Sequence, residues 1–313
     1  FNNAGFSLFA DSMMQYAQST WVTLVITGLV IFGGIGYQVI MEAFTLGRDR
    51  LHGRPEWVGF SLNFKVVVTT SVVLLAIGTI AFFYVEFDNP ATLGDFTVEN
   101  KLTAAWFQSV IARTAGFNSI DINSMHDASL FFMIALMFIG ASPGSTGGGI
   151  KTTTISILFV CTRTVLRGYE RVILYRREIP PERILKAISV VVGSGLTVLG
   201  VTIALALFNP GFNFLSLFFE AVSAFATVGL STGITPDLST LSQVLIIATN
   251  ILLAVSPFMM GLSVVTILFI VPAVVALGIG LGAAYPDFNS ENAAQAITSY
   301  GGLIFMMLAA IYI

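Results

Sequence analysis

The chain has one cysteine, Cys161, and two histidines among 313 residues, and only 10% of its residues are charged. A single cysteine excludes a disulfide within the chain and leaves redox chemistry without a partner thiol. His52 and His126 fall in loops expected on opposite faces, so they cannot share a metal site. A charged fraction this far below the roughly 25% of ordinary soluble domains excludes a conventional water-facing surface. No signal-peptide pattern is visible and Phe1 is not an initiator methionine, so the chain is expected to begin within a longer protein.

What is abundant is apolar sequence. Hydrophobic residues make up 56% of the chain. Apolar runs near 21–41, 66–85, 129–160, 187–208, 241–260 and 262–284 are long enough, or nearly so, to cross about 30 Å of hydrocarbon. A further run, 300–313, reaches the end of the chain. This pattern predicts an all-α, multi-pass membrane protein in a lipid bilayer. Of the 14 Lys and Arg, four lie in 42–65 and seven in 161–186, leaving Lys101, Arg113 and Lys151. Both basic stretches are therefore expected on the cytoplasmic side, as topology signals that require no nucleic-acid partner. Glu86, Asp88, Asp95, Glu99, Asp121, Asp127 and Asp237 fall in the other loops, an outer face that attracts cations.

One short phrase recurs: Asn3-Ala4-Gly5-Phe6, Thr114-Ala115-Gly116-Phe117 and Thr227-Val228-Gly229-Leu230, with the glycines 111 and 113 residues apart. That period is too long for a solenoid, whose units run to roughly 20–50 residues. It suits a membrane module repeated around one axis. The second and third copies each follow a short apolar stretch, 103–113 and 214–226, and precede another long one. Each unit thus reads as helix, half-helix with loop, helix. A cation channel aims backbone carbonyls at a dehydrated ion from such a loop, and glycine tolerates the backbone angles this needs. Asn3, Ala4, Gly5, Thr114, Ala115, Gly116, Thr227, Val228 and Gly229 are the candidate ion ligands. In lipid, irregular backbone survives only where protein buries it or it lines a watery cavity, so the pattern implies a central lumen.

The run 129–160 is interrupted by Gly140-Ala141-Ser142-Pro143-Gly144-Ser145-Thr146-Gly147-Gly148-Gly149-Ile150-Lys151. So much glycine, with a proline, cannot continue a helix. A polar strip at membrane depth suits a gate formed by Gly144, Ser145, Thr146, Gly147, Gly148, Gly149 and Lys151; a packing hinge is the plainer alternative. Lys151 is expected either to hold the loop through carbonyls or to present charge to ions. Gly140–Gly144 also fits a G-x-S-x-G nucleophile elbow, but lacks the strand–helix setting and histidine partner. A Walker-type phosphate cradle fails because Ile150 stands where glycine should precede Lys151. No enzyme activity is expected. Arg113, before the second loop, is expected to pair with an acid such as Glu220 or to lie at the outer interface. Glu220 is expected at the start of a half-helix, capping its amides.

Four stretches carry a resemblance to the Ktr/Trk/HKT superfamily of K⁺ transporters, closest to the Ktr-type membrane subunit. They are residues 1–8, 113–119, the glycine-rich loop through Thr153, and 223–231. The resemblance covers about residues 1–250 in the family's order. It implies four helix–half-helix–helix repeats around one pore, K⁺ as the transported ion, and loop 140–151 as the intramembrane gate. It further implies a homodimer seated on a cytosolic ring of nucleotide-binding regulatory subunits in a bacterial inner membrane, with Na⁺ aiding uptake in several members. No cofactor is implied in this chain; nucleotide belongs to the regulatory partner.

Against that pattern the family's first repeat is absent. The expected layout is 1–64, a second-repeat filter with its second helix and cytoplasmic loop; 65–186, a third repeat with the gating loop; 187–250, a fourth repeat; and 251–313, a divergent hydrophobic tail. Three filter segments do not close a four-part ring, so the chain alone is expected to conduct poorly or not at all. Residues 285–292 and Gly301-Gly302 resemble the membrane subunit of an ABC-type exporter, suggesting a fusion near 250–260. The competing readings are an exporter subunit with an ATPase partner and a non-transporting fragment.

Overall fold

The computed structural model describes Gly5, Ser7 and residues 11–51, 59–169 and 171–254, all within the unit Phe1–Ala254. Asn3, Ala4 and the tail expected to diverge from Val255 onward lie outside the described residues. Nine α-helices and one small hairpin make up the described fold: α1 Thr20–Ile35, α2 Tyr37–Leu51, α3 Leu62–Val85, α4 Val98–Ile111, α5 Asp127–Phe138, α6 Thr152–Leu166, β1 Ile173–Leu174, β2 Arg177–Glu178, α7 Pro181–Phe208, α8 Phe214–Phe225 and α9 Thr240–Ala254.

Among the described residues, two helices, α3 and α7, are long and apolar enough to cross a membrane on their own. At 1.5 Å per residue their 24 and 28 residues reach about 36 and 42 Å. Through the middle of each helix the exposed side chains are apolar: Val72, Val73, Ile77 and Ile80 on α3, and Val192, Leu196, Leu199 and Ile203 on α7. In water such faces would demand a covering; against lipid tails they need none.

The short helices invert this arrangement. The last eight residues of α4 include Ala104, Ala105 and the unbroken buried run Phe107–Ile111, and α8 is buried continuously from Phe219 to Phe225. Both are capped in sequence. Thr97 accepts from the Asn100 N–H at 3.4 Å, and Asn213 accepts from the Leu215 N–H at 3.1 Å. Each therefore starts at a defined residue and drives its C-terminal end into the protein. Ser109 on α4 donates to the Leu75 carbonyl of α3 at 2.9 Å, against Gly78, where a methyl group would collide with the Ser109 side chain. Trp106 Nε1 donates to Thr27 Oγ1 of α1 at 3.1 Å. The α4 core with Leu75, Phe82, Met133 and Met137 forms the main apolar cluster, and Val201, Leu205, Leu217 and Ala221 join α7 to α8 in a second.

Two departures from the sequence reading stand out. The run 21–41 is not one straight span: it breaks at Gly36, and α1 and α2 meet at 99°. Gly36 has φ +95°, and a Cβ there would strike the Pro143 carbonyl oxygen, so a tertiary contact sets the bend. Consequently α2 continues to Leu51, into the stretch expected as a cytoplasmic loop; 52–58 lie outside the described residues. The second departure is the β1–β2 hairpin, with Ile173 opposite Glu178 and Leu174 opposite Arg177. Tyr175 and Arg176 form its turn at φ +49° and +65°, a left-handed pair usually supplied by Asn-Gly. The Tyr175 hydroxyl lies 2.6 Å from Thr69 Oγ1 and ties the hairpin to α3.

At the opposite end of α3, Glu86 is fully buried yet satisfied. It accepts from Asn89 Nδ2 at 2.7 Å, Thr92 Oγ1 at 2.7 Å and the His126 N–H at 2.9 Å. Asn209, at the end of α7, donates to Ser242 Oγ at 2.7 Å and accepts from the Ser239 N–H at 2.8 Å. Glu86→Ala removes the acceptor shared by the buried Asn89 and Thr92 side chains and the His126 N–H, and is expected to destabilise the protein by roughly 2–4 kcal/mol. Thermal unfolding of the purified variant in detergent, with Glu99→Ala on the α4 surface as the control, measures this.

Candidate functional site

The loops after α4 and α8 share an unusual backbone. Thr114 and Gly116 have φ +72° and +68°, and Thr227 and Gly229 have φ +53° and +83°, with Ala115 and Val228 between them outside the left-handed region. A threonine at positive φ is uncommon and costs roughly 1–2 kcal/mol. The same departure at the same position in two copies marks a shared local structure that the surroundings impose. Gly5, in the first copy, also has positive φ, +67°.

These loops, more than a hundred residues apart in sequence, meet. A Cβ on Gly5 would overlap Gly116 Cα and lie 2.5 Å from the Ala115 carbonyl oxygen; one on Gly229 would lie 3.5 Å from Gly116 Cα. Gly116 is thus the point of convergence, and no side chain fits between the first two copies. Behind the meeting point each loop is held by its own half-helix. Gln108 Nε2 donates to Ser119 Oγ at 3.3 Å, and Ser223 Oγ donates to the Leu230 carbonyl at 2.6 Å. The first and second copies are stitched by the Met13 N–H to the Asn118 carbonyl at 3.0 Å and the Asn118 N–H to Ser12 Oγ at 3.1 Å.

Glu220 plays a different part from the expected amide cap. It lies in the interior of α8, buried, and accepts from Ser231 Oγ, the Thr232 N–H and Thr235 Oγ1 at 2.8 Å each, and from Thr232 Oγ1 at 3.0 Å. Its carboxylate holds the segment that leaves the third loop. It is not paired with Arg113. Arg113 is buried, not at an outer interface, and turns toward α3, donating to Ser71 Oγ at 3.3 Å. The expected pairing fails because Glu220 faces its own loop while Arg113 faces the neighbouring helix.

The glycine-rich segment runs between α5 and α6 and packs against both described threonine loops. A Cβ on Gly147 would collide with Thr114 Oγ1, and one on Gly148 would lie 2.6 Å from Thr227 Oγ1 and 2.7 Å from the Ala226 carbonyl oxygen. The Gly148 N–H donates to Thr227 Oγ1 at 3.1 Å. On its other side the segment meets the α1–α2 bend, where the Ser142 N–H donates to the Gly34 carbonyl and the Tyr37 N–H to the Gly144 carbonyl, each at 3.1 Å. Lys151 Nζ donates to the Gly147 carbonyl at 2.6 Å, closing the loop on itself. Ser145 Oγ donates to the Ser142 carbonyl at 2.6 Å. Gly149, at φ +70°, packs on Gly140, while Gly144 and Thr146 are exposed. Ser142 is fully buried and bonded to Thr152 Oγ1 at 3.1 Å, which leaves it no role as a nucleophile.

Of the sequence-predicted residues, Gly5, Thr114, Ala115, Gly116, Thr227, Val228 and Gly229 come together, with Gly147, Gly148 and Lys151 against them. The sequence reading missed Gly36 and Tyr37, which clamp the far side of the glycine-rich loop; the Gly33-Gly34-Ile35-Gly36 cluster was the available signal.

A family model described as a cation transport protein, TrkH, matches residues 1–253. A model of an ATP-binding cassette family matches residues 232–313. Ktr system potassium uptake protein B of Bacillus subtilis is 40% identical over 257 residues, covering 82% of this chain and 56% of that protein. Its namesake in Vibrio alginolyticus is 38% identical, covering 82% and 55%. Potassium/sodium uptake protein NtpJ of Enterococcus hirae is 34% identical, covering 79% and 54%. The crystal structure of the potassium transporter TrkH from Vibrio parahaemolyticus superposes with a TM-score of 0.58 at 20% identity, over 80% of this chain and 53% of that one, which speaks to the fold. The chain spans about half the length of the relatives it matches. On the family match, the identities and the shared fold together, this chain belongs to the TrkH cation transport family.

Proposed function

We propose that residues 1–250 form three filter segments and the gate of a K⁺ uptake pathway in a bacterial inner membrane. The observation that carries this reading is the convergence of three sequence-related loops on Gly116. A dehydrated K⁺ needs a ring of oxygens, and backbone carbonyls supply it without a fixed charge that would trap the ion. Residues of positive φ at Thr114 and Gly116, and again at Thr227 and Gly229, alternate with residues outside that region, an alternation that can aim successive carbonyls to one side. The ligands are then the carbonyls of Asn3, Ala4, Gly5, Thr114, Ala115, Gly116, Thr227, Val228 and Gly229. The C-terminal ends of α4 and α8 add their negative dipole ends to the same place.

Loop 140–151 is the gate in this reading. It contacts the threonines at the base of two filter segments and the α1–α2 bend, and Lys151 keeps it closed through the Gly147 carbonyl. Opening requires the loop to leave Thr227 and move aside. Transport is passive, driven by about 2.3 kcal/mol per charge per 100 mV. Na⁺ aids uptake as a second cation. The assembled form is a homodimer on a cytosolic nucleotide-binding ring. The similarity to two potassium uptake proteins supports potassium as the substrate. For residues 251–313, the match to an ATP-binding cassette family favours an exporter-type membrane segment fused to the pore.

Three filter segments leave one quadrant of the ring open, so the 313 residues alone are expected to give no K⁺ influx above background in cells lacking their own K⁺ uptake. Influx from the chain alone that Gly116→Ser abolishes would overturn this. Placing a first helix–half-helix–helix unit from a matched uptake protein in frame before Phe1 is expected to give uptake. Gly116→Ser is then expected to lower it by roughly tenfold or more, the effect of straining one left-handed residue.

The convergence has its own test. Gly116→Ala and Gly147→Ala are each expected to destabilise the chain by roughly 1–3 kcal/mol, from backbone strain at the left-handed Gly116 and overpacking against Thr114 at Gly147. Gly211→Ala, where an added methyl meets nothing within 4 Å, is expected to behave as the parent. Thermal unfolding in detergent reads the difference, and a Gly147→Ala protein as stable as the parent would contradict the packing.

A further inference from the structure

In the basic stretch 161–186, α6, the segment after it and the β1 strand border an open cavity of about 810 Å³. Three guanidinium groups line it, Arg163, Arg167 and Arg171, together with Tyr169 and the apolar Val160 and Ile173. Arg163 and Arg167 are four residues apart on α6 and so share a face of the helix. Like charges brought together this way repel unless an anion sits between them. The acid found near the group is Glu178, 3.8 Å from Arg171 with both side chains largely exposed. Stretch 161–186 carries seven bases against Glu170, Glu178 and Glu182, so the region stays positive.

Depth adds a second constraint. α6 leaves the glycine-rich loop at Thr152, and Arg163 lies eleven residues further on, about 16 Å along the helix. With the loop at mid-membrane, half a hydrocarbon core is about 15 Å, which puts Arg163 at the headgroup boundary and Arg167 one turn beyond. Exposed Phe159, Val165, Leu166 and Ile173 sit beside the arginines. A soluble anion would find charge here but nothing for these apolar neighbours to contact. A phosphate carried on acyl chains satisfies both.

We infer that this cavity binds the phosphate of an anionic phospholipid, with Arg163 and Arg167 on the phosphate and the chains along Phe159 and Ile173. The depth argument rests on the membrane placement of the glycine-rich loop, but lipid binding here does not depend on whether the chain conducts. Each arginine near an anionic surface strengthens attachment by about fivefold.

The test is native mass spectrometry of the full 313-residue chain released from detergent micelles containing phosphatidylglycerol or phosphatidylcholine. Phosphatidylglycerol is expected to be retained over phosphatidylcholine, with apparent affinity falling about 25-fold in R163Q/R167Q, the product of two such steps. The hairpin variant R176Q/R177Q, which removes equal charge outside the cavity, is expected to retain the lipid as the parent does. Inorganic phosphate at millimolar concentration is expected not to displace it. Equal retention of the two lipids, or an unchanged R163Q/R167Q, would overturn the inference. Displacement by inorganic phosphate would reassign the cavity to a soluble anion. Binding of an acidic peptide in place of either lipid would make it a protein-docking surface. Both of these last results also overturn the lipid assignment. Circular dichroism and a monodisperse elution peak establish that the variants are folded, as the exposure of both arginines leads one to expect.

Discussion

Non-helical backbone deep in a membrane protein survives only if other protein holds its polar groups, and this chain stakes its architecture on that condition. Loop 140–151 is irregular, glycine-rich and placed between two short apolar helices. Its groups bond to Thr227 on one side, to Gly34 and Tyr37 on the other, and to Lys151 within the loop. The bend at Gly36, the left-handed threonines and the blunt ends of α4 and α8 all supply surfaces for it. Remove the loop and none of these features has a purpose in a packed helical protein.

The same constraint explains why glycine occurs where it does. Gly5, Gly36 and Gly147 stand at close approaches of backbone to backbone or backbone to threonine, where a methyl group would collide. Gly193, Gly195 and Gly200 on α7 have no such neighbour within 4 Å. Glycine abundance alone therefore does not locate the loop junction; glycine at a close approach to another loop does. Two buried carboxylates among the described residues complete the frame. Glu86 and Glu220 each gather three or more donors from outside the α-helices, and so fix the segments that follow α3 and α8.

Much of this was legible in the chain itself. The half-helices were readable from the short apolar stretches 103–113 and 214–226 and the Thr-x-Gly phrases that end them, although α4 starts earlier, at Val98 behind the Thr97 cap, in polar sequence that the apolar signal does not mark; the break in 129–160 was readable because no helix tolerates its composition. What escaped is tertiary in origin. The run 21–41 is apolar throughout, so nothing local announces that Gly36 turns the chain by 99° to meet Pro143. The hairpin turn uses Tyr175-Arg176, residues with no turn preference, because the Tyr175 hydroxyl finds Thr69. Glu220 looked like a cap, and its true partners lie 11 to 15 residues further along, beyond any capping pattern. Arg113 looked like half of an ion pair, and it faces Ser71 on another helix instead.

The central claim is that three distant loops converge to offer carbonyl oxygens to a dehydrated monovalent cation. Anomalous diffraction from crystals of the chain grown in a thallium salt tests this most directly, since Tl⁺ has nearly the size of K⁺ and scatters strongly. The account predicts an anomalous peak bounded by the carbonyls of Thr114, Ala115, Gly116, Thr227, Val228 and Gly229. Ordered loops in the described arrangement with no peak among them, or with thallium bound only elsewhere, would contradict it.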